Sequence, residues 1–333
     1  MISNVKIIAE AGVNHNGKLS VAKKLVDIAK SSGADFIKFQ LYISKNLALN
    51  SAKKAAYQED DSNESQLKML KKLEISHEDF KKIYNYCKKQ EMKCFATAFD
   101  LQSLFFLKDL GQEIFKIPSG EITNYPLLKA IGSFNSQVIL STGMSNIDEI
   151  SKAISVLVNF GTKKNNIIVL HCTTEYPAPL EELNLKAIQK IKNDLKVRVG
   201  YSDHSKGIDV PIAAISLGAE IIEKHFTLDK KMEGPDHKAS LDPRQLKSMI
   251  KNIRAIETAL GKEKKVITRS EKKNRDVIRK SIVAKRIIKK GQIICEEDLE
   301  VKRPGYGLSP MKWNDVIGSK AKKDFKEDEL ISI

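Results

Sequence analysis

Two histidines, His204 and His225, each close a short apolar run, Val199-Gly-Tyr-Ser-Asp-His204 and Ile221-Ile-Glu-Lys-His-Phe-Thr227, and one helical pattern lies between the runs. If both runs are strands, the two imidazoles emerge at neighbouring strand ends. Two imidazoles from separate strands can hold one divalent cation and leave most of its coordination positions to substrate, which describes a catalytic site better than a structural one. Either histidine alone would read as a hydrogen-bonded core or surface residue. The pair reads as ligands because Ser202, Asp203, Glu223 and Asp236 crowd the same two segments, and carboxylates are natural partners of ligating imidazoles.

Lys38 and Lys116 are each the polar break in an otherwise apolar run, where an unpaired ammonium would be costly to desolvate. Each needs an anionic partner. With hydroxyls from Thr97, Ser119, Ser141 and Ser202 at other run ends, a bound phosphate or carboxylate would complete the set; the alternative is an internal pair with Glu10 or Glu121. Neither Gly-x-Gly-x-x-Gly nor Gly-x4-Gly-Lys-Ser/Thr occurs, so a phosphate has to be held by side chains rather than by a glycine-rich loop.

These groups act together only if the elements that carry them converge. Eight apolar runs read as strands: 5–9, 35–40, 93–97, 114–117, 137–142, 167–173, 198–202 and 221–227. Helical patterns separate them, among them 19–29, 77–90, 147–158, 210–217 and 243–260. Eight βα units over about 250 residues predict a closed (β/α)8 TIM barrel over residues 1–261; a doubly wound open sheet gives a similar alternation. The barrel is preferred because Glu10, Lys38, Gln40, Thr97, Lys116, Ser119, Ser141, Thr173, His204 and His225 all fall at or just past a strand's C-terminal end. In a barrel those ends share one mouth; in an open sheet they would spread along an edge. The connection 41–75 is unusually long, and an insertion there is a lid over the mouth or a surface excursion. Residues 262–280 are densely charged and read as a linker, and 281–333 read as a small β-rich module with strands at 281–284, 292–295, 299–302 and 330–333.

Bulk composition narrows the classes of function. At 333 residues, 41% hydrophobic and 30% charged, the chain has the mix of a folded globular protein, with room for one large core and a small second one. The net charge of +15 favours anionic ligands. Much of it sits on solvated lysine faces such as Lys71-Lys72 and Lys81-Lys82, without the interleaved aromatics of a nucleic-acid platform, so no nucleic-acid partner is expected. Cys87, Cys94, Cys172 and Cys295 form no Cys-x-x-Cys pair and no disulfide framework, which fits a reduced cytoplasm. The N-terminal residues carry no basic head and apolar core of a signal peptide, and no run approaches membrane-spanning length, so no membrane partner is expected either.

The ordered motifs Ala9-Glu-Ala-Gly-Val-Asn-His-Asn-Gly17, Ile37-Lys-Phe-Gln40, Phe115-Lys-Ile-Pro-Ser-Gly-Glu121, Leu140-Ser-Thr-Gly-Met144, His171-Cys-Thr-Thr-Glu-Tyr-Pro177, Tyr201-Ser-Asp-His204, Glu223-Lys-His-Phe-Thr227 and Gly234-Pro-Asp236 span most of the chain. Together they resemble the sialic acid (nonulosonate) synthase family, and Val301-Lys-Arg-Pro-Gly305 resembles the signature of that family's C-terminal antifreeze-like (SAF) module. The resemblance implies condensation of phosphoenolpyruvate with an N-acetylmannosamine-type hexose to a nine-carbon 2-keto acid and phosphate. It implies a divalent metal, manganese or else magnesium or cobalt, at His204 and His225. It places phosphoenolpyruvate on Lys38, Thr97, Lys116, Ser119, Ser141, Thr174 and Ser202, and the sugar on Gln40, Tyr176, Asp236 and Arg303, with Glu10 orienting or deprotonating the water that is consumed. It also implies a domain-swapped homodimer in which Arg303 serves the partner's barrel. One departure bears on the acceptor: Thr174-Glu175 stand where the N-acetylneuraminate enzymes carry Asn and Ile. The extra carboxylate opens a second reading, a 2,4-diacetamido-2,4,6-trideoxymannose acceptor and a legionaminic acid product. The further alternatives are a Schiff-base pyruvate aldolase, which needs one desolvated lysine and no metal, and a non-enzymatic binder of sugar or nucleic acid.

Overall fold

A computed structural model describes residues 5–55, 58 and 64–333 and divides the chain into two compact units, Met1–Gly261 and Lys262–Ile333. Among the described residues of the first unit, β1 (Lys6–Gly12), β2 (Phe36–Leu41), β3 (Lys93–Ala98), β4 (Ile114–Ile117), β5 (Gln137–Ser141), β6 (Ile167–Cys172), β7 (Arg198–Asp203) and β8 (Ile221–His225) form a closed barrel in sequence order. All pairings are parallel, and β1 closes on β8 with Glu10 opposite His225. The eight runs read from the sequence are these eight strands.

The interior follows from a period of two. Side chains alternate across a strand, so a residue two positions past an inward apolar one also points inward. Ile8, Phe95, Ile139, Ile168, Leu170 and Ile221, with Phe36 and Ile114, form an apolar cluster of their own. Two residues further along six of these strands stand Glu10, Lys38, Thr97, Lys116, Ser141 and Glu223. The barrel is therefore plugged below and polar above. Gly200 keeps β7 in this plug: a Cβ there would lie 2.5 Å from Leu170 Cδ2 and 2.7 Å from the carbonyl oxygen of Ile221.

The intervening helices bury their apolar faces on the outside of the sheet. Helix Leu19–Ser32 buries Ala22, Leu25, Val26 and Ala29 and stops at Gly33, whose left-handed φ of 86° lets its N–H reach back to Ala29 and Lys30. Helix Pro243–Leu260 starts on a reciprocal Asp242–Gln245 capping box. Among its described residues the long connection after β2 holds two short helices, Ser44–Leu47 and Gln66–Leu73, and Tyr42, Met69 and Leu73 pack with Val13 into a small apolar cluster. The centre of the stretch read as a lid, residues 56, 57 and 59–63, lies outside the described residues.

The second unit has its own core around Ile282, Ile288, Ile294, Val316 and Phe325. β9 (Ser281–Ala284) and β10 (Leu299–Lys302) pair antiparallel. The stretches read as strands at 292–295 and 330–333 form single antiparallel bridges, Ile293 to Lys320 and Val283 to Leu330, flanked by backbone hydrogen bonds from Ala321 N–H to Gln292 and from Ile331 N–H to Ile282. Residues 262–280, read as a linker, contain a helix, Arg269–Ile278, that buries no residue and is held by a Thr268–Glu271 capping box. No helix among the described residues is long and apolar enough to cross a membrane.

Asp298 is a buried anchor of this unit. Its carboxylate accepts from the Cys295 N–H at 2.9 Å and from Arg286 Nε at 2.5 Å, and these partners outweigh burial to hold it below the ordinary carboxylate range. Asp298→Ala should destabilise the unit by about 1–3 kcal/mol in urea titrations of the full chain. A depressed pKa means that the group's charge-dependent stability is present above the unfolded value of about 4 and is lost as the pH falls through the folded value. The deficit of Asp298→Asn relative to the wild type should therefore be full at neutral pH and shrink below about pH 4.

Candidate active site

Two glutamates and two lysines meet in the polar layer. Lys38 Nζ lies 3.0 Å from Glu10 Oε1 and 3.6 Å from Glu223 Oε2, and Lys116 Nζ donates to both oxygens of Glu223 at 2.8 and 2.9 Å. All four side chains are buried. Ser202 Oγ adds a hydrogen bond to Glu223 at 2.9 Å, and Lys38 donates to Thr97 Oγ1 at 3.2 Å. Of the two readings weighed for these lysines, the internal pair is present: the protein supplies counter-charges to both of them itself. Glu10 is one of the two internal partners weighed for the lysines; the other, Glu121, instead accepts from Asn124. Glu223, read as a neighbour of the histidines, is the shared carboxylate, because it stands two residues before His225 and so on the same face of β8.

The charges are unequal in their comfort. Burial would raise Glu223, but Lys116 and Lys38 outweigh it and hold that carboxylate well below the ordinary range. Burial dominates at Glu10 and, with Glu223 adding to it, lifts the pKa to about 7 despite Lys38. Glu10 Oε2 is buried without a hydrogen-bond partner. The outcome is one fixed carboxylate and one that can exchange a proton near neutrality.

At the rim, the rings of His204 and His225 lie 5.6 Å apart between centroids at 64°. The ring of Tyr176 stacks on His204 at 4.0 Å and meets His225 edge-on at 5.6 Å. His204 Nδ1 is 2.6 Å from the carbonyl oxygen of Thr173, which can only accept, so Nδ1 carries the proton and Nε2 presents a lone pair. Burial lowers the pKa of His204 to about 4 and that of His225 far below its usual value, so both rings are neutral, as metal ligation demands. His225 Nδ1 is buried with no hydrogen-bond partner and lies 3.6 Å from Asp236 Oδ2. Among the described residues no three His, Cys, Asp or Glu side chains close on one point. Two imidazoles with an adjacent carboxylate fit a cation that keeps its other positions for water or substrate. Gly12, at φ +52° after a bulge in β1, leaves room for this: a Cβ there would stand 3.2 Å from His225 Cε1.

Of the four residues expected around the histidine pair, Asp203 does not take part. It alternates to the other face of β7 and binds Lys224 at 2.5 Å in a second buried pair. Asp236 is beside His225, buried, and raised by that burial to about 6.

Gln40, Ser119, Ser141 and Thr174 stand at or just past the C-terminal ends of β2, β4, β5 and β6. Ser119 Oγ accepts from the Gly143 N–H at 2.9 Å and touches Cys172 Sγ at 3.2 Å. The hydroxyls of Ser141 and Thr174 are buried without partners. Gln40 stands at the end of β2 in register with Thr97. Glu175 borders a groove of about 790 Å³ between segments 142–150 and 171–191, with Thr174, Glu182 and Lys190. Arg303 is exposed in the second unit, just after β10, in a cis peptide with Pro304. Orphaned atoms on Glu10, Ser141, Thr174 and His225 thus gather at one mouth, where a polar ligand would satisfy them.

Removing one partner of the Lys116–Glu223 pair strands a buried charge, so Lys116→Met should cost about 3–5 kcal/mol of stability in urea denaturation. Lys116→Met with Glu223→Leu should recover most of that loss; a double variant no more stable than the single would show that the pair does not carry this energy.

The NeuB family matches residues 25–265 and the SAF domain matches residues 279–333. Over 327 residues, 98% of either chain, the protein is 54% identical to an N,N'-diacetyllegionaminic acid synthase of Campylobacter jejuni subsp. jejuni. A protein of the same name from Legionella pneumophila subsp. pneumophila is 43% identical over 94% of this chain and 89% of its own. Among solved structures, an N-acetylneuraminic acid (sialic acid) synthetase of Leptospira borgpetersenii superposes with a TM-score of 0.72 at 36% identity, covering 81% of this chain and 90% of that one.

Proposed function

Because the chain belongs to the NeuB family and ends in a SAF domain, we propose that it condenses phosphoenolpyruvate with 2,4-diacetamido-2,4,6-trideoxymannose to N,N'-diacetyllegionaminate and phosphate. As a member of that family it is a transferase that forms a carbon–carbon bond to give a nonulosonic acid. The carrying observation is the juxtaposition of two neutral rim imidazoles with a buried lysine–glutamate cluster at one barrel mouth. The choice of acceptor rests on the name shared by the relatives at 54% and 43% identity, and on Glu175 beside Thr174. N-acetylmannosamine is the competing acceptor.

In this reading Lys38 and Lys116, with Thr97, Ser119, Ser141, Thr174 and Ser202, hold the phosphate and carboxylate of phosphoenolpyruvate. Glu10 and Glu223 outweigh burial to hold Lys38 above its ordinary value, Glu223 aims Lys116, which burial lowers, and an entering dianion shares both lysines with the two carboxylates. His204 and His225 would hold a divalent cation, manganese with magnesium or cobalt as substitutes, whose chemistry is Lewis-acid polarisation of the open-chain aldehyde. Tyr176 packs on both rings and fixes their planes, and Gln40 and Asp236 orient the hydroxyl and acetamido groups of the sugar. The enol carbon of phosphoenolpyruvate bonds to the aldehyde carbon, whose oxygen takes up a proton to become a hydroxyl; water adds, with loss of a proton, to the carbon that carries the phosphate ester, and the tetrahedral product expels phosphate as the added hydroxyl becomes the keto oxygen. Glu10, able to change protonation near neutrality, takes the proton of that water. Lys38 and Lys116 offset the charge on the departing phosphate. The proposal includes a homodimer in which Arg303 serves the partner's sugar site, and a cytoplasmic setting, which four unpaired cysteines support.

The test is phosphate release from phosphoenolpyruvate with either sugar, with and without EDTA. Release with the diacetamido sugar, abolished by EDTA and restored by manganese, is the expected result. No phosphate release from phosphoenolpyruvate, with a chelator-resistant condensation of pyruvate and a borohydride-trappable lysine adduct, would instead indicate a Schiff-base aldolase. His225→Ala should weaken manganese binding by at least about tenfold in calorimetry, the size expected when one of two ligands is lost. Thr174→Asn with Glu175→Ile should shift the ratio of kcat/KM toward N-acetylmannosamine, and Arg303→Ala should raise KM for the sugar without loss of fold.

A further inference from the structure

The turn after β1 and the loop after β8 are tied together by hydrogen bonds that the chemistry above does not use. The turn is Val13–Gly17, the Asn-His-Asn-Gly stretch, closed by N–H bonds from Asn14 to Ala11 and from Asn16 to Val13. Asn14 is buried, and its Nδ2 donates to the carbonyl oxygen of Phe226 at 2.8 Å and to Ser240 Oγ at 2.9 Å. Ser240 in turn donates its hydroxyl to the carbonyl oxygen of Asp236 at 2.6 Å, and its N–H reaches the same atom at 3.1 Å.

A second tie runs through the residue next to Asp236. Asn16 Nδ2 donates to the carbonyl oxygen of Glu233 at 2.9 Å, which turns Asn16 Oδ1 toward His237 Nε2 at 3.2 Å. Oδ1 can only accept, so His237 carries its proton on Nε2 and its Nδ1 accepts from Thr227 Oγ1 at 2.7 Å. His237 is fully buried between the two. The fit is close: a Cβ on Gly234 would lie 2.8 Å from the His237 ring and 3.1 Å from Asn16 Oδ1, at a φ of +141° that favours glycine. The segment from 228 to 240 contains no helix or strand, so these bonds, rather than a ladder, set its path.

Resting on the reading of Asp236 as a sugar ligand, we propose that Asn14, Asn16 and His237 are positioning residues that clamp the loop after β8 to the turn after β1 and so hold the Asp236 carboxylate beside His225. Asp236 is gripped on both sides, by Ser240 at its own carbonyl and by the wedged ring of His237. Side chains of the first strand's turn thereby determine where the last strand's carboxylate meets the acceptor. None of the three is assigned to contact substrate.

The experiment compares wild type with Asn16→Ala, His237→Ala and His237→Gln in the manganese-loaded full-length protein. Both substrates are varied in turn, and hydrogen exchange of peptides covering 228–240 is read alongside. The alanine variants should raise KM for the diacetamido sugar roughly tenfold, as loss of an ordering hydrogen bond implies, and leave KM for phosphoenolpyruvate within about twofold. Exchange across 228–240 should quicken, and His237→Gln, which keeps a donor toward Asn16, should recover most of the acceptor KM. A parallel rise in both KM values, or an unchanged acceptor KM in folded variants, overturns the proposal. Should His237→Ala fail to fold, Asn16→Ala and His237→Gln carry the same comparison. If the wild type releases no phosphate with either sugar, the functional reading has failed instead. Exchange then decides the clamp alone: quickened exchange in Asn16→Ala supports it, and unchanged exchange overturns it.

Discussion

Two ammonium groups and two carboxylates share the interior of one barrel, away from water, and the rest of the site is arranged around their mutual compensation. Taken singly, each would be costly to bury; together they form a neutral set whose members hold one another in place. The asymmetry within the set matters as much as its neutrality. Glu223 touches both lysines and stays ionised, whereas Glu10 touches one and sits near its midpoint at neutral pH. A pocket built this way holds two ammonium groups ready for an entering anion, and it retains one group free to change its protonation.

Alternation does most of the positioning: on six strands an apolar side chain and the polar one two residues later point the same way, so the floor and the reactive layer are specified together. The opposite faces of β7 and β8 carry their own buried pair, Asp203 with Lys224, in register one residue before His204 and His225. The two imidazoles therefore project from strands fastened on both faces.

Much of this was legible in the residues themselves. Eight apolar runs with polar ends are enough to specify the barrel and to name the mouth, because the period of two and the convergence of strand ends are local rules applied eight times. The pairing of charges was not legible to the same degree. That Lys116 would meet Glu223 rather than Glu121 depends on which residues face one another across the barrel, between strands four apart, and local sequence does not encode that distance. Asp203 was misplaced for a simpler reason: it lies beside Ser202 in sequence and hence on the opposite face. The clamp of Asn14, Asn16 and His237 left a trace, the Asn-His-Asn-Gly stretch, but its partner lies over two hundred residues away. In the second unit, 292–295 and 330–333 make single antiparallel bridges instead of ladders, a difference in pairing length that apolar doublets do not reveal.

The apolar plug under the lysines has a kinetic corollary. Ile8, Phe95, Ile139, Ile168, Leu170 and Ile221 close the floor beneath the lysines with apolar side chains. On the proposed function, a small anion seated on the lysines would be overlain by whatever binds at the rim, so that arrival would be sequential, deep guest first. Queueing of this kind would be set by side chains that never meet a reacting atom.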